Sequence, residues 1–257
     1  MVETETINLG AEEYNDFLRC LMNLKEVCND VNIQGGIIRQ RSNDKSSIFV
    51  IDLNSLVGNS TFSITDLKKK LDLLKAFSGQ DVEITIAAGD PDHPGYFTFA
   101  DEVTSVKFLS PALTFVDNKY MTEEELESMF TINDEDLILD CDLSSLITDR
   151  VRIFTASFNT LAIQVLFDGD KATISASTPA RDQFAKFIEN IEANVVMEKC
   201  SANISTVPFG IEHDTDVEFK MFKDPEQPVT LNKFATNLGD IEFTVYTRSS
   251  IVNDDEE

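Results

Sequence analysis

One stretch, residues 61–86, constrains the fold of this chain most, because it joins a cationic helix pattern to a strand pattern. It reads TFSITDLKKKLDLLKAFSGQDVEITI. Apolar side chains recur in it at three- and four-residue steps, which places them on one stripe of an α-helix that faces a core. The stripe consists of Ile64, Leu67, Leu71 and Leu74. The spacing therefore predicts an amphipathic helix of about three turns.

The ends of this helix and the strand after it also follow from residue types. Ser63 or Thr65 is predicted to cap the start, because a hydroxyl oxygen can accept from the first backbone amides. The small, flexible pair Ser78-Gly79 ends the helix. Alternating apolar residues then predict a strand over residues 82–86.

The lysines of this stretch lie on the outer side of the predicted helix. At about 100° per residue, Lys69 falls nearly opposite Leu67 and Leu71. The flanks carry Lys68, Lys70 and Lys75. Such a surface is either a solvated helix face or a site for a polyanion, and a single helix does not decide between them.

Charge limits the partners of the whole chain. Its 257 residues include 46 acidic and 21 basic ones, for a formal net charge of −25, so the molecule as a whole repels nucleic acid and acidic membranes. A polyanion must therefore meet a local basic surface. The basic residues on segments predicted to be helical are Arg19, Lys25, Lys68, Lys69, Lys70, Lys75, Arg150 and Arg152.

Cysteine and histidine usage predicts no metal site. The four cysteines show no CxxC spacing, and there are two histidines, so a zinc site is not expected. The first residues, MVETETINLG, lack the basic and apolar pattern of a signal, and no apolar run approaches the roughly 20 residues of a membrane span. We expect a cytoplasmic protein with reduced thiols and no cofactor.

A prior of roughly 150 residues per domain predicts two domains for a chain of this length, and two similar halves would fit. The first half, residues 1–109, begins with a helix pattern over 10–31 and continues with strand patterns around the lysine helix. Residues 110–130 mix proline, large apolar groups and acidic residues without a sustained period, and are interpreted as a connector. Residues 131–250 form the second half, and residues 251–257 an acidic tail that is expected to be disordered.

The second half repeats the pattern of helix, strand and hairpin. A new stripe at steps of three and four comprises Leu143, Ile147, Val151, Phe154 and Phe158. LAIQVLFDGDKATISAS follows, with an Asp168-Gly169 turn typical of a hairpin. Residues 181–193 remain open: the spacing of Phe184, Phe187 and Ile188 favours a helix, but a strand also fits.

Four segments carry a resemblance to a known family. They are GGIIRQRSNDKSSIFVIDL, DLKKKLDLLKAFSGQDVEITI, YFTFADEVTSVKFLSP and DRVRIFTASFNTLAIQVLFDGDKATISAS. In this order, in two similar halves around a long connector, the sequence resembles the DNA sliding clamps, a family that includes the proliferating-cell nuclear antigen and the clamps of tailed phages. The resemblance covers most of the chain and rests on pattern, since clamps have no short signature motif.

The resemblance implies an α+β fold, the two-domain DNA clamp fold, with antiparallel sheets outside and helices lining an inner face. Three subunits would close a ring around double-stranded DNA, with the eight basic residues named above facing phosphates. It also implies a strand at 184–191 and a helix near 206–214, where the sequence shows no clear counterpart. The chain departs from the pattern in its first helix, which is rich in carboxylates.

The connector is the predicted docking site for DNA polymerase and clamp loader. Its apolar residues Leu113, Phe115 and Val116 either border a pocket for an aromatic anchor or pin the connector to the core. The predicted function is a sliding clamp and polymerase processivity factor, a homotrimer with no membrane contact.

Two other classes compete with that function. One is a monomeric viral polymerase accessory protein of the same fold, and the other is a structural β-rich interaction protein. An enzyme is not expected, because no phosphate-binding glycine loop, nucleophile elbow or HExxH motif is present. The carboxylates near Asp134 and Asp140 are interpreted as a solvated strand end rather than a metal site.

Overall fold

The structure, a computed structural model, describes residues 4–87, 95–110, 120–130, 132–177, 184–191, 193–196 and 200–251. Backbone contacts divide the chain into two compact units. Unit 1 comprises residues 1–122 and 237–243, and unit 2 comprises residues 123–236 and 244–257. The domain limits at residues 109 and 130 stay a prediction.

Unit 1 has eight strands and three helices among its described residues outside 237–243. They are β1 (Thr4–Leu9), α1 (Ala11–Leu24), β2 (Val31–Gln34), β3 (Ile37–Arg41), β4 (Ser47–Asp52), α2 (Asn54–Val57), β5 (Phe62–Ile64), α3 (Leu67–Leu74), β6 (Val82–Ala87), β7 (Gly95–Ala100) and β8 (Ser105–Ser110). A short 3-10 helix, Lys75–Phe77, extends α3.

Antiparallel pairing organises the strands of unit 1 into two sets. One is a four-stranded sheet in the order β1-β6-β7-β8, and the other has the order β5-β2-β3-β4. Buried aromatic rings fill the space between α1 and the first sheet: the Phe17 ring stacks on that of Phe99 at 6.2 Å between centroids, and Tyr14 meets Phe99 edge-on. The apolar stripe of α1 therefore forms part of this core.

The start of α3 differs from the sequence prediction. Ile64 lies in β5, and Asp66, at φ 51°, occupies the N-cap without a side-chain cap hydrogen bond. The loop after α1 provides acceptors instead, because the amide of Asp66 donates to Asp30 Oδ1 at 2.9 Å and that of Leu67 to the Asn29 carbonyl at 2.8 Å. The predicted capping by Ser63 or Thr65 is wrong, since a tertiary contact replaces it.

Unit 2, with the hairpin that ends the chain, contains the remaining named elements. They are α4 (Glu123–Met129), β9 (Leu137–Leu143), α5 (Ser145–Phe158), β10 (Ala162–Asp168), β11 (Lys171–Ser177), β12 (Phe184–Asn190), β13 (Ala193–Val196), β14 (Cys200–Ser205), β15 (Val217–Lys223), β16 (Val229–Leu238) and β17 (Ile241–Ile251). Short 3-10 helices lie at Asp134–Asp136 and Val207–Gly210.

The strands of unit 2 follow one another in the order β12-β11-β10-β14-β17-β16-β15-β9-β13. The predicted hairpin is β10 and β11, with Asp168 opposite Lys171 and Gly169 at φ 61°. The buried aromatic core of unit 2 includes Phe219. Its ring centroid lies 6.0 Å from that of Phe167 and 4.7 Å from that of Phe234. Helix α5 packs on β10 and β11.

Three ambiguous segments are resolved in unit 2. Residues 184–190 form β12, paired along its length with β11, so the helical interpretation of that spacing is wrong and the strand is correct. The end of the predicted connector forms α4. Where the resemblance implied a helix near residues 206–214, the structure has the 3-10 helix Val207–Gly210.

Candidate nucleic-acid interface

Helices α1 and α3 lie against each other in unit 1, and most of the predicted DNA-binding residues lie on or next to them. The hydroxyl of Tyr14 donates to the carbonyl of Leu74 at 2.7 Å. At the other end of α3, the Asn29 carbonyl holds the Leu67 amide. These bonds place the end of α1 beside the first turn of α3.

A cluster of three side chains forms at that junction. The ammonium of Lys25, the residue after α1, lies 3.8 Å from Glu26 Oε1, and the ammonium of Lys68 lies 3.7 Å from Glu26 Oε2. Lys68 is 75% exposed and Glu26 64%. We call these residues the Lys25–Glu26–Lys68 cluster. It joins two predicted DNA-binding residues that are 43 positions apart in sequence, as 68 minus 25 gives.

Three further predicted cations each lie beside a carboxylate three residues earlier. Lys69, at 84% the most exposed of these three, has its ammonium 3.8 Å from Asp66 Oδ1. The other two pairs are Lys75 with Asp72 at 3.4 Å and Arg19 with Asp16 at 3.2 Å. Pairs between exposed groups contribute only about 0–1 kcal/mol, so Lys69 and Lys75 remain open to another anion. Arg19 is 29% exposed, and its pair with Asp16 is partly buried.

Lys70 occupies a different environment from its two neighbours. Its half-buried ammonium donates to Thr65 Oγ1 at 2.8 Å and lies 5.6 Å from the centre of the Phe108 ring. Burial lowers the pKa of Lys70, while Asp66 and Asp30 act in the opposite direction. Its role as a DNA-binding residue stays a prediction, and its contacts stabilise the packing of α3 near β8.

In unit 2, Arg150 and Arg152 both lie on α5 but contact different groups. The guanidinium of Arg150 forms an ion pair with Glu189 of β12 and lies 5.7 Å from the centre of the Phe187 ring. Arg152 pairs with Asp149 on its own helix and is about half exposed. Through these two contacts Arg150 stabilises the packing of α5 against β12.

The outer side of α5 also carries large apolar groups. Leu146 and Ile153 are 53% and 60% exposed. Helix α3 exposes one large apolar side chain, Leu73 at 51%, beside its exposed lysines. The two helices therefore resemble each other in their buried stripes and differ in their outer surfaces.

A pocket lies at the C-terminal end of α4 in unit 2, with a volume of about 390 Å³. It is lined by Leu126, Glu127, Phe130, Ile132 and Tyr246. The rings of Phe130 and Tyr246 lie 5.2 Å apart, and Arg248 donates to the Met129 carbonyl at 2.9 Å. An apolar pocket with ring walls and one carboxylate suits a peptide side chain.

Sequence reasoning missed this pocket. Leu126 and Phe130 are four residues apart, and this helical spacing within the predicted connector is the signal that the sequence offers. Tyr246 lies in β17 and joins them only through the fold. The predicted docking residues Leu113, Phe115 and Val116 lie outside the described residues.

The four cysteines of the chain carry thiols. All four cysteines are unpaired and buried, and burial raises the pKa of Cys28 to about 11 and that of Cys141 to about 12. Across the described parts of the chain, no group of three or more His, Cys, Asp or Glu side chains is arranged to hold a metal ion. No helix in those parts is long and apolar enough to cross a membrane.

Comparison with known proteins gives a fold rather than a sequence relationship. No protein-family model matches the chain, and no curated protein matches it in sequence. The proliferating-cell nuclear antigen of Entamoeba histolytica is 12% identical and superposes with a TM-score of 0.67, over 97% of this chain and 100% of that one. The proliferating-cell nuclear antigen of Thermococcus kodakaraensis is also 12% identical. It superposes with a TM-score of 0.63, over 97% of this chain and 100% of that one.

A third structure, the PCNA2–PCNA3 complex of Sulfolobus tokodaii, is 12% identical with a TM-score of 0.64, over 95% of this chain and 99% of that chain. All three likenesses extend over nearly the full length of both chains. The chain therefore has the α+β fold of the proliferating-cell nuclear antigen, and the fold class predicted from its sequence is confirmed.

Proposed function

We propose that this protein is a sliding clamp that encircles double-stranded DNA and tethers the replicative DNA polymerase, as a processivity factor and not as an enzyme. One observation carries the proposal: the fold matches that of proliferating-cell nuclear antigens over 95–97% of the chain. Its partners are duplex DNA, the polymerase, a clamp loader and further copies of itself. The phage-like order of the sequence motifs supports a replisome in the cytoplasm of a phage-infected or other host cell.

Two strand edges support a head-to-tail homotrimer. As far as the described strands extend, β8 ends the four-stranded sheet of unit 1 and β12 ends the sheet of unit 2. Both carry exposed apolar side chains: Leu109 on β8, and Phe184 and Ile188 on β12. Unpaired edges of this kind are templates for another strand, and head-to-tail contacts close a ring when the rotation fits.

The cations of α1 and α3 support contact with phosphates. A clamp must hold DNA while it slides, so its phosphate contacts should be few, easily exchanged and independent of sequence. Lys68 and Lys69 are exposed and only weakly paired. The chain as a whole has a net charge of −25, so its acidic surfaces repel DNA.

The pocket beside α4 supports docking of a polymerase peptide with an apolar anchor. It lies at the end of the predicted connector, and the close rings of Phe130 and Tyr246 provide a wall for an aromatic side chain. Tyr246→Ala should weaken capture of the cognate polymerase without changing the oligomeric state. Unchanged capture by this variant would exclude the pocket as the docking site.

The decisive experiment combines oligomeric state with DNA topology. Sedimentation at micromolar concentration should give a trimer, and protein loaded on a closed circle should stay bound until the circle is cut. Rapid loss from circular and linear DNA alike would contradict encirclement. A monomer that still extends polymerase products would instead favour the monomeric accessory protein of the same fold.

A matched pair of variants tests the ring contact. Ile188 on β12 and Ile153 on α5 are equally exposed, at 60%. We expect Ile188→Lys to give monomers, because an ammonium would enter the strand contact between copies, whereas Ile153→Lys should remain trimeric. If both variants sediment as the wild-type protein does, β12 is not at the contact between copies.

A further inference from the structure

We infer that Glu26 competes with DNA phosphate for Lys25 and Lys68, and so limits how tightly the clamp holds DNA at the junction of α1 and α3. This inference rests on the proposed function, and it names a residue that tunes the DNA contact. Glu26 is a carboxylate between two lysines that are proposed to bind phosphate.

The geometry of the cluster gives the first reason. The two carboxylate oxygens of Glu26 are divided between the two ammonium groups, at 3.8 Å from Lys25 and 3.7 Å from Lys68. A phosphate group that bridged the same two lysines would use two oxygens in the same way. The carboxylate therefore occupies the place of a bridging phosphate.

The other predicted cations provide a contrast. Arg19, Lys69, Lys75 and Arg152 each pair with an aspartate three residues earlier on or beside their own helix. Among the described ion pairs of the eight predicted DNA-binding residues, Glu26 is the carboxylate that contacts two of them. It also joins two segments that are separate in sequence.

Exposure makes this carboxylate displaceable. Glu26 and Lys68 are both largely solvated, and pairs of that kind contribute only about 0–1 kcal/mol. Two ammonium groups and one carboxylate leave the cluster with a net charge of +1, whereas the lysines alone would present +2. A phosphate can enter by displacing Glu26, and Glu26 can return when the DNA moves on.

The test is Glu26→Gln, which keeps the shape of the side chain and removes its charge. Binding of the full-length protein to a fluorescent 30-base-pair duplex, followed by anisotropy, should tighten about fivefold at low salt, and the slope of log affinity against log salt should steepen by about one unit. Processive synthesis on a primed circle should slow as the clamp holds DNA longer.

Glu12→Gln is the matched control. Glu12 lies in the first turn of the same helix, and no ion pair of it with a lysine or arginine is found in the described part of the chain. The substitution changes the net charge equally. It should leave the slope unchanged and alter the affinity less than about twofold. An equal gain from both variants would show a general charge effect and overturn the role of Glu26.

A third variant separates this inference from the proposed function. Lys25→Met with Lys68→Met should weaken duplex binding. If it does so while Glu26→Gln does not tighten binding, the inference fails and the clamp proposal stands. If neither the wild-type protein nor any variant associates with DNA at any salt concentration, the proposed function fails and the inference with it.

Discussion

The outer surfaces of α3 in unit 1 and α5 in unit 2 differ, although both helices bury an apolar stripe. Leu67, Leu71 and Leu74 are buried on α3, and Ile147 and Val151 on α5. Toward solvent, α3 presents the weakly paired Lys68 and Lys69 beside one apolar residue, Leu73. Helix α5 presents the apolar Leu146 and Ile153 beside one arginine, Arg152. A shared helix pattern therefore does not imply a shared surface chemistry.

The difference extends to how each unit holds its cations. Arg150 of α5 is fastened to β12 by Glu189 and Phe187, so its charge contributes to packing. The exposed lysines of α3 contribute little to packing, and their ammonium groups can exchange one carboxylate partner for another anion. We therefore expect unit 1 to provide most of the electrostatic contact with DNA.

The largest expected effect is a loss of stability when a buried aromatic ring is removed from the core of either unit. Phe97, which is fully buried, contacts the rings of Phe62, Phe99 and Phe108. Phe97→Ala should lower the free energy of unfolding by about 3–5 kcal/mol, because it removes apolar contacts and leaves a cavity. Phe219→Ala should do the same in unit 2. Urea unfolding followed by circular dichroism measures both.

The control for the core variants is Leu161→Ala, since Leu161 is 78% exposed. It should change the free energy of unfolding by less than about 0.5 kcal/mol. A loss below about 1 kcal/mol for Phe97→Ala would mean that this ring is not central to unit 1. Unequal losses for Phe97 and Phe219 would show which unit depends more on its aromatic cluster.

The next effect concerns alkaline pH and the buried thiols. Burial raises the pKa of Cys28 from an ordinary 9.0 to about 11. The folded protein therefore keeps a proton that the unfolded chain loses above pH 9.0. The stability that this thiol contributes is present below pH 9.0 and is lost as the pH rises through about 11, at up to about 1.4 kcal/mol per pH unit.

Cys28→Ala should reduce this alkaline loss, and Cys141→Ala should do the same for unit 2, where the pKa is raised to about 12. The measurement is the urea midpoint at pH 8.5 and at pH 10.5 for each variant. An identical pH dependence in the wild-type protein and both variants would rule out the ionisation of Cys28 and Cys141 as a cause.

Charge reversal of two matched cations tests the division between units directly. Lys69 and Arg152 are both exposed, and each pairs with an aspartate three residues earlier. Lys69→Glu should weaken duplex binding about tenfold, or about 1.4 kcal/mol, and reduce the salt slope by roughly one unit. Arg152→Glu should change both much less. Equal effects would show that α5 contacts DNA as closely as α3.

Polymerase product length on a primed circle at two salt concentrations gives the functional measurement for the same pair. The melting temperature serves as the folding control, because surface substitutions usually change stability by less than about 0.5 kcal/mol. Unchanged product lengths for Lys69→Glu would contradict a DNA-facing α3.

The smallest effect is expected from the Arg150–Glu189 pair. Arg150→Met should cost about 0.5–1 kcal/mol of unfolding free energy, because it removes a partly shielded ion pair while retaining an apolar side chain over Phe187. Duplex binding should not change. Combining it with Glu189→Gln in a double-mutant cycle should recover part of the cost. Weakened DNA binding by Arg150→Met would instead show that Arg150 contacts DNA.

The sequence by itself determined the local features of this protein. Three- and four-residue spacing predicted that Leu67, Leu71 and Leu74 would face a core and that Lys68 and Lys69 would be exposed, as observed. The Asp168-Gly169 signal identified the β10–β11 hairpin. These features depend on the period of a helix and on the geometry of a turn. Residues close together in sequence are enough to specify both.

The tertiary structure decided the rest. Residues 184–190 have helical spacing but form β12, because hydrogen bonds to β11 outweigh a weak local preference. Lys70 lies beside two exposed lysines, yet it packs near Phe108 of a distant strand. Glu26 meets Lys68 only because the loop after α1 holds the start of α3. Such contacts join residues far apart in sequence, and no local spacing encodes them.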